Sequence, residues 1–212
     1  MIILEQDPSS ERLSYQAGVG LGPKVDEFLA KYDDSGCQIG VRIPVGTIGW
    51  LGWPVALRVP YPRRLTSWGL LYRVLRANFD GLATSAVPSP PPSRKGDGSA
   101  EYRQGKRVTG LLYDQQRGTV DVQYVDVTSG EQGNITADLV IAADGVHSTV
   151  RKLLLPSKSK NYSGYVAWRG TVPARLLTKE TATFFTERMY VWAMKRSYMV
   201  MLVCPYRLPL PH

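Results

Sequence analysis

Ala137-Asp138-Leu139-Val140-Ile141-Ala142-Ala143-Asp144-Gly145-Val146-His147-Ser148-Thr149-Val150-Arg151 is the stretch on which the reading of the fold turns. Leu139 to Ala143 is apolar without alternation, which predicts a strand covered on both faces, as in sheets flanked by helices. Such a strand delivers Asp144 to its carboxyl end, where α/β sheets bind ligands. Gly145 allows a close backbone approach, and Ser148 can cap a helix running through Val150 and Leu153. The same spacing also fits a plain strand-turn-helix junction in which Asp-Gly is an ordinary turn.

Working outward, Ile2-Ile3-Leu4 reads as a short buried parallel strand ending in an acid, Glu5. Gln16 to Pro23 contains Gly18, Gly20 and Gly22 and reads as a turn leading into a helix. Pro23 suits the first turn of that helix, and Val25, Phe28, Leu29 and Tyr32 fall on one face before Asp33 to Gly36 end it. A second helix is signalled by Thr66 or Ser67 as cap, by Leu70, Leu71, Val74, Leu75 and Phe79, and by Gly81 as stop. Between the helices, Gly40 to Pro62 reads as irregular or extended. The proline-rich Val87 to Ser99 excludes a packed helix or central strand and reads as a mobile surface loop.

Beyond it, Arg107 to Tyr113 and Thr119 to Val127 form a predicted hairpin around Gln115 to Gly118, and Asn134 to Ala137 leads into the strand at Leu139. After Pro156 the texture becomes β-rich, with candidate strands at Tyr162 to Val172, Thr183 to Ala193 and Tyr198 to Cys204. A boundary is expected near residues 156 to 162.

With 212 residues, 43% hydrophobic and 21% charged, wholesale disorder is excluded. The 26 Lys+Arg against 18 Asp+Glu leave a net charge of +8, which is basic without being extreme. Cys37 and Cys204 form no disulfide framework or C-x-x-C pair, which suits thiols in a reducing compartment. No signal peptide is visible, and no apolar run approaches the ~18 residues needed to span a bilayer. A cytoplasmic protein without membrane partners is expected. His147 is the one His besides the terminal His212, which leaves little material for a multi-His metal site or a His-based triad; no metal is expected. Arg58, Arg63, Arg64, Arg73 and Arg76, interleaved with Tyr61, Trp68 and Tyr72, could attract phosphate, or could be a solvated helix face. Trp168 and Arg169 could line a pocket, or Trp168 could be core.

Residues 138 to 151 resemble the Asp-Gly motif of the FAD-dependent aromatic hydroxylases, the single-component flavoprotein monooxygenases related to p-hydroxybenzoate hydroxylase. Leu4-Glu5-Gln6-Asp7-Pro8 is similar to the acidic end of that family's second strand, and Ala17-Gly18-Val19-Gly20-Leu21-Gly22-Pro23 to the segment that follows. Tyr162-Ser163-Gly164-Tyr165-Val166-Ala167-Trp168-Arg169-Gly170 resembles the 2,6-dihydroxypyridine 3-hydroxylase-like branch. The resemblance implies an α/β fold: a partial Rossmann-like FAD-binding domain with a β-meander over residues 1–157, lacking its first strand and Gly-rich loop, and the beginning of a β-rich substrate domain over 158–212.

By the same resemblance, Glu5 would hold the adenosine ribose, Gly18 would let the backbone approach FAD, and Asp144 and Gly145 would line the dinucleotide site with Arg151 near it. The implied chemistry is reduction of FAD by NADPH or NADH, then reaction with O2 and hydroxylation of a small aromatic or N-heteroaromatic ring. The catalytic residues, the oligomeric state and the activity of the isolated chain stay open. Departures from the family pattern are the absent G-x-G-x-x-G loop, the absent late Gly-Asp segment, and Trp68 where many members carry an Arg at the start of an R-x-x-L-x-x-x-L helix, with Arg73 as a substitute. The alternatives are a non-catalytic truncated remnant or interaction module without stable flavin binding, and a module that binds anions or nucleic acid through the Arg-rich stretch. Nucleic acid is not the expected partner.

Overall fold

A computed structural model describes residues 1–9, 18–50, 56–168, 170, 172–186, 189–194 and 197–201. In chain order its elements are β1 (Ile2–Leu4), β2 (Gly18–Leu21), α1 (Pro23–Tyr32), β3 (Val41–Trp50), β4 (Ala56–Ser67), α2 (Trp68–Asp80), β5 (Glu101–Arg103), β6 (Lys106–Asp114), β7 (Thr119–Asp126), β8 (Gln132–Ala137), α3 (Thr149–Leu154), α4 (Lys179–Thr186), β9 (Met189–Met194) and β10 (Ser197–Met201). These belong to two compact units, one built from Met1–Glu11 and Gly98–Ala167, the other from Arg12–Asp97 and Trp168–His212.

In the first unit β1 pairs in parallel with β5, Ile2 opposite Glu101 and Leu4 opposite Arg103. The parallel strand expected at Ile2 is thus present, although it is half-buried at most: Ile2 is exposed and Ile3 and Leu4 are intermediate. β6, β7 and β8 form an antiparallel meander. Val120 and Val122 alternate with polar neighbours as a one-face strand requires, and Val122 is buried. The turn between β6 and β7 is held by Asp114, whose Oδ1 accepts from the N–H groups of Gln116 at 2.9 Å and Arg117 at 3.1 Å.

Asp126 plays the same part after β7, accepting from Thr128 N–H at 2.8 Å and Ser129 N–H at 3.0 Å, and it also pairs with Lys106. The Lys106 ammonium first, then the two backbone donors, hold the Asp126 carboxyl down at about 2, below its ordinary 3.8. A carboxyl depressed on folding stabilises the fold above the unfolded value and loses that contribution as pH falls through the folded one. Carbon-detected NMR titration should therefore find Asp126 ionised well into the acid range, and Lys106→Met should move its titration upward.

The second unit holds a five-stranded sheet in the order β10-β9-β3-β4-β2, antiparallel except where β3 runs parallel to β9. Gly40 to Pro62 is therefore extended over most of its length, as the β3–β4 pair; residues 51–55 lie outside the described residues. Gly18 to Leu21 is a strand paired antiparallel with Arg64 to Ser67, so the turn expected across Gly18 and Gly20 is corrected. Val19 and Leu21 alternate with glycines, and that period-2 pattern lets the segment sit at a sheet edge with Leu21 buried.

Both helices follow their sequence signals. Pro23 stands in the first turn of α1. Ser67 Oγ accepts from Leu70 N–H at 3.1 Å to cap α2, and Gly81 ends it with φ 70, a left-handed conformation that favours glycine. Leu21, Leu29, Ile39, Leu70, Val74, Ala77 and Val87 make one core cluster, and Ile43 with Leu65 a second. Val87, at the edge of the expected proline-rich loop, is only 2% exposed because reciprocal backbone bonds with Thr84, at 3.0 and 3.1 Å, fold it inward.

Three expectations are corrected. Leu139 to Ala143 pairs with no strand among the described residues, and Leu139 and Ile141 are 75% and 78% exposed. An extended run can be buried within a sheet only when a neighbouring strand takes its backbone hydrogen bonds, and β8 has already ended at Ala137. Residues 162 to 168 form no strand, and Tyr162 and Tyr165 are exposed. Thr183 lies in α4 instead of a strand: Thr178 Oγ1 accepts from Thr181 N–H at 3.2 Å, a helix-capping contact that overrides the β preference of threonine. The strands expected around Ala193 and Tyr198 are present as β9 and β10, and Cys204 lies outside the described residues.

Candidate functional site

The Asp-Gly loop is built by its own short helix. Asp144 Oδ2 accepts from the N–H groups of Thr149 at 2.7 Å and Val150 at 3.1 Å, while Ser148 Oγ accepts from Arg151 N–H at 2.9 Å. Two side chains thus satisfy three of the donors that open α3, and Ser148 and Val150 are buried beneath them. Desolvation alone would raise the Asp144 carboxyl; hydrogen bonds from Ser148 and from the Val150 and Thr149 N–H groups outweigh it and hold it below the ordinary carboxylate range. At neutral pH Asp144 is therefore an anion that only accepts hydrogen bonds.

Gly145 has φ 72, and a Cβ built on it would meet nothing within 4 Å. The backbone there is open to an approaching group, and its conformation is one that side-chain-bearing residues adopt with strain. Arg151 folds back across the loop, donating from Nη1 to Gly145 O at 3.4 Å and from Nη2 to Val146 O at 2.6 Å. An anionic acceptor, an exposed glycine backbone and a guanidinium consequently sit on one turn.

Glu5 closes β1 in the same unit. Its backbone N–H donates to Arg103 O at 2.9 Å, its carbonyl accepts from Lys106 N–H at 2.8 Å, and its Oε1 accepts from Asp7 N–H at 2.9 Å. The carboxylate is half-buried at the end of a parallel pair, the position at which a ligand hydroxyl would meet it. Glu5, Asp144, Gly145 and Arg151 all belong to this unit, whereas Gly18 belongs to the other, opposite Ser67 in the sheet. The structure therefore groups four of the five expected site residues in one unit and sets Gly18 in a strand.

In the second unit Trp68, which fills the place of the expected Arg, stacks on Tyr72 with ring centroids 5.5 Å apart and planes 13° apart. The Arg76 guanidinium lies over the far end of that stack, 5.5 Å from the Tyr72 centroid, and Arg73 is half-buried. The Arg-rich stretch is no uniform solvated face: Arg64 pairs with Asp26 at 2.7 Å and Arg76 is buried against Asp80 at 2.8 Å. Trp168 is 93% exposed, so it is not core, and Arg169 lies outside the described residues.

Among the described residues no three His, Cys, Asp or Glu side chains are placed to hold a metal ion, and no helix is long and apolar enough to cross a membrane. One pairing escaped the sequence reading: Lys160 Nζ lies 2.5 Å from His147 Nδ1. The signal that could have found it is the absence of any acid between Gly145 and Thr178.

Comparison with known proteins places this arrangement in context. The chain is 29% identical over 186 residues to a 6-hydroxynicotinate 3-monooxygenase of Bordetella bronchiseptica, covering 82% of this chain and 42% of the relative. It is 30% identical over 110 residues to a 2,6-dihydroxypyridine 3-monooxygenase of Paenarthrobacter nicotinovorans, covering 52% of this chain and 26% of the relative. It thus spans less than half the length of these curated relatives. The fold resembles the crystal structure of a tetracycline destructase, with a TM-score of 0.50 and 13% identity, over 97% of this chain and 47% of that one. An FAD binding domain model matches residues 93–208, which include the whole Asp-Gly loop and more than half of the sequence, and the chain accordingly belongs to the FAD binding domain family.

Proposed function

We propose that this chain is the flavin-holding part of an NAD(P)H-dependent monooxygenase that hydroxylates a small aromatic or N-heteroaromatic ring in the cytoplasm. The observation that carries the reading is the Asp-Gly loop, where an ionised, helix-anchored Asp144 adjoins the open backbone of Gly145. These residues fit a hydroxyl-rich dinucleotide. Asp144 accepts from hydroxyls, Gly145 lets the chain approach without steric conflict, and Arg151 offers charge to a phosphate. Glu5 would accept from the adenosine ribose.

FAD, when bound, supplies the electron transfer and oxygen activation that no side chain provides. The chain's own residues hold it in place. Support for the ring substrate comes from the relatives, whose names give 6-hydroxynicotinate and 2,6-dihydroxypyridine as the compounds monooxygenated.

Titrating FAD with the purified chain and following flavin fluorescence tests the reading. Saturable binding is expected, weakened about tenfold or more in Asp144→Ala, equivalent to about 1.4 kcal/mol. A folded chain that leaves flavin fluorescence unchanged overturns the proposal and returns the interaction-module reading.

A further inference from the structure

The helix that anchors the Asp-Gly loop opens onto a second feature. From Gly145 through Thr178 the sequence has no carboxylate, yet it carries His147, Arg151, Lys152, Lys158 and Lys160 within fourteen positions. Elsewhere, crowded cations have acids: Arg42 and Arg64 share Asp26, Arg76 has Asp80, Arg103 has Glu101, Lys106 has Asp126, and Arg94 has Asp34. Here Arg151 is turned onto two backbone carbonyls, and Lys160 onto the His147 ring.

Since the Lys160 ammonium can only donate, the 2.5 Å contact makes His147 Nδ1 the acceptor and leaves the ring proton on Nε2, exposed. Partial desolvation first, then the charges of Lys152 and Arg151, push the Lys160 ammonium below its ordinary value. Lys152, Arg151 and Lys160 therefore repel one another, and the neutral His147 ring adds a donor beside them, with Asp144 the one carboxylate on the adjoining turn.

We propose that His147, Lys152 and Lys160, beside Arg151, form a binding site for a phosphate dianion, such as a nucleotide phosphate monoester. A dianion relieves the repulsion among Lys152, Lys160 and Arg151 and takes charge-assisted hydrogen bonds from them and from the His147 Nε2–H. Within the oxidoreductase proposed above the monoester is the 2′-phosphate that distinguishes NADPH from NADH. That assignment rests on the proposed function; the phosphate site does not.

Calorimetric titration of the purified chain with adenosine, 5′-AMP, adenosine 2′,5′-bisphosphate and inorganic phosphate at fixed ionic strength tests the site. The bisphosphate is expected to bind about tenfold tighter than adenosine, and the Lys152→Ala/Lys160→Ala variant to lose that difference. Lys95→Ala, an exposed cation of the second unit, should keep it. Inorganic phosphate binding as tightly as the bisphosphate supports the phosphate site and assigns it to the free ion. Binding of 5′-AMP as tight as that of the bisphosphate supports the phosphate site and removes the 2′ assignment, whereas equal binding of bisphosphate and adenosine without a phosphate-ion site, or an equal loss in Lys95→Ala, overturns the proposal. FAD titration of the same samples separates the two readings: bisphosphate discrimination without flavin binding sinks the flavin function alone, and the converse sinks the phosphate site alone.

Discussion

Asp80→Ala should destabilise the second unit by about 3 kcal/mol, read as a lower urea midpoint. The Arg76 side chain is only 9% exposed and Asp80 14%, and the two meet through Nε at 2.9 Å and Nη2 at 2.8 Å. Burial by itself would lower the guanidinium's proton affinity, but Asp80 and the Tyr72 hydroxyl, at 2.6 Å, raise it above the ordinary value. Removing the carboxylate strands a desolvated cation, with the Tyr72 hydroxyl still accepting from it. The expected loss sits at the low end for breaking a buried pair because Asp80 retains a solvent-facing edge. Arg76→Met combined with Asp80→Leu should recover most of it, since an apolar pair carries no desolvation penalty. A double variant as unstable as Asp80→Ala would sink the electrostatic account and leave packing as the cause.

Leu65→Ala is the second large effect, about 3 kcal/mol from lost burial plus the cavity left behind. Leu65 is 1% exposed, lies in β4 opposite Gly20 of β2 and Val41 of β3, and packs with Ile43, Val41 and Val191. Three strands therefore close around it, and none can collapse into the void without breaking register. Leu57, eight positions earlier in the same strand, is 53% exposed, and Leu57→Ala should change stability by no more than about 0.5 kcal/mol. Chemical denaturation of both variants distinguishes burial from any general intolerance of the strand to alanine.

How much of this was legible in the sequence depended on whether the information was local. The cap at Ser67, the stop at Gly81 and the turn at Asp114 each involve atoms within a few residues, and each was readable from residue type and spacing. The meander was readable for the same reason, since its turns are short. Leu139 to Ala143 misled because apolarity reports a need for burial and says nothing of whether a partner strand is alongside. Gly18 to Leu21 misled in the opposite sense: its glycines suggested a turn, while its pairing is decided by Arg64 to Ser67, more than forty residues later.

In the site, the Asp144, Gly145, Ser148 and Arg151 relations all fall within eight consecutive residues, and the motif carried them. Lys160 reaches His147 across thirteen positions with no periodic pattern between them, so only the charge imbalance hinted at it. The Trp68–Tyr72–Arg76–Asp80 ladder follows i, i+4 spacing and was open to reading as one face; its burial was not, because charged residues on helices usually face water.

The bare segment from Leu139 to Ala143 also bears on how this polypeptide behaves in concentrated solution. It is β-prone, uncharged and free of proline, the composition of a stretch that self-associates into stacked fibrillar ladders. Asp138 and Asp144 bracket it, and in-register stacking would bring each carboxylate close to its copies along the fibre axis. Two acids in those positions are the kind of flanking charge that opposes such assembly. Because Asp144 is held ionised by the α3 donors, its half of the safeguard persists into more acidic solution than an unanchored carboxylate would allow. The hydrogen bonds that shape the ligand loop thereby also keep a charge at the end of this apolar run.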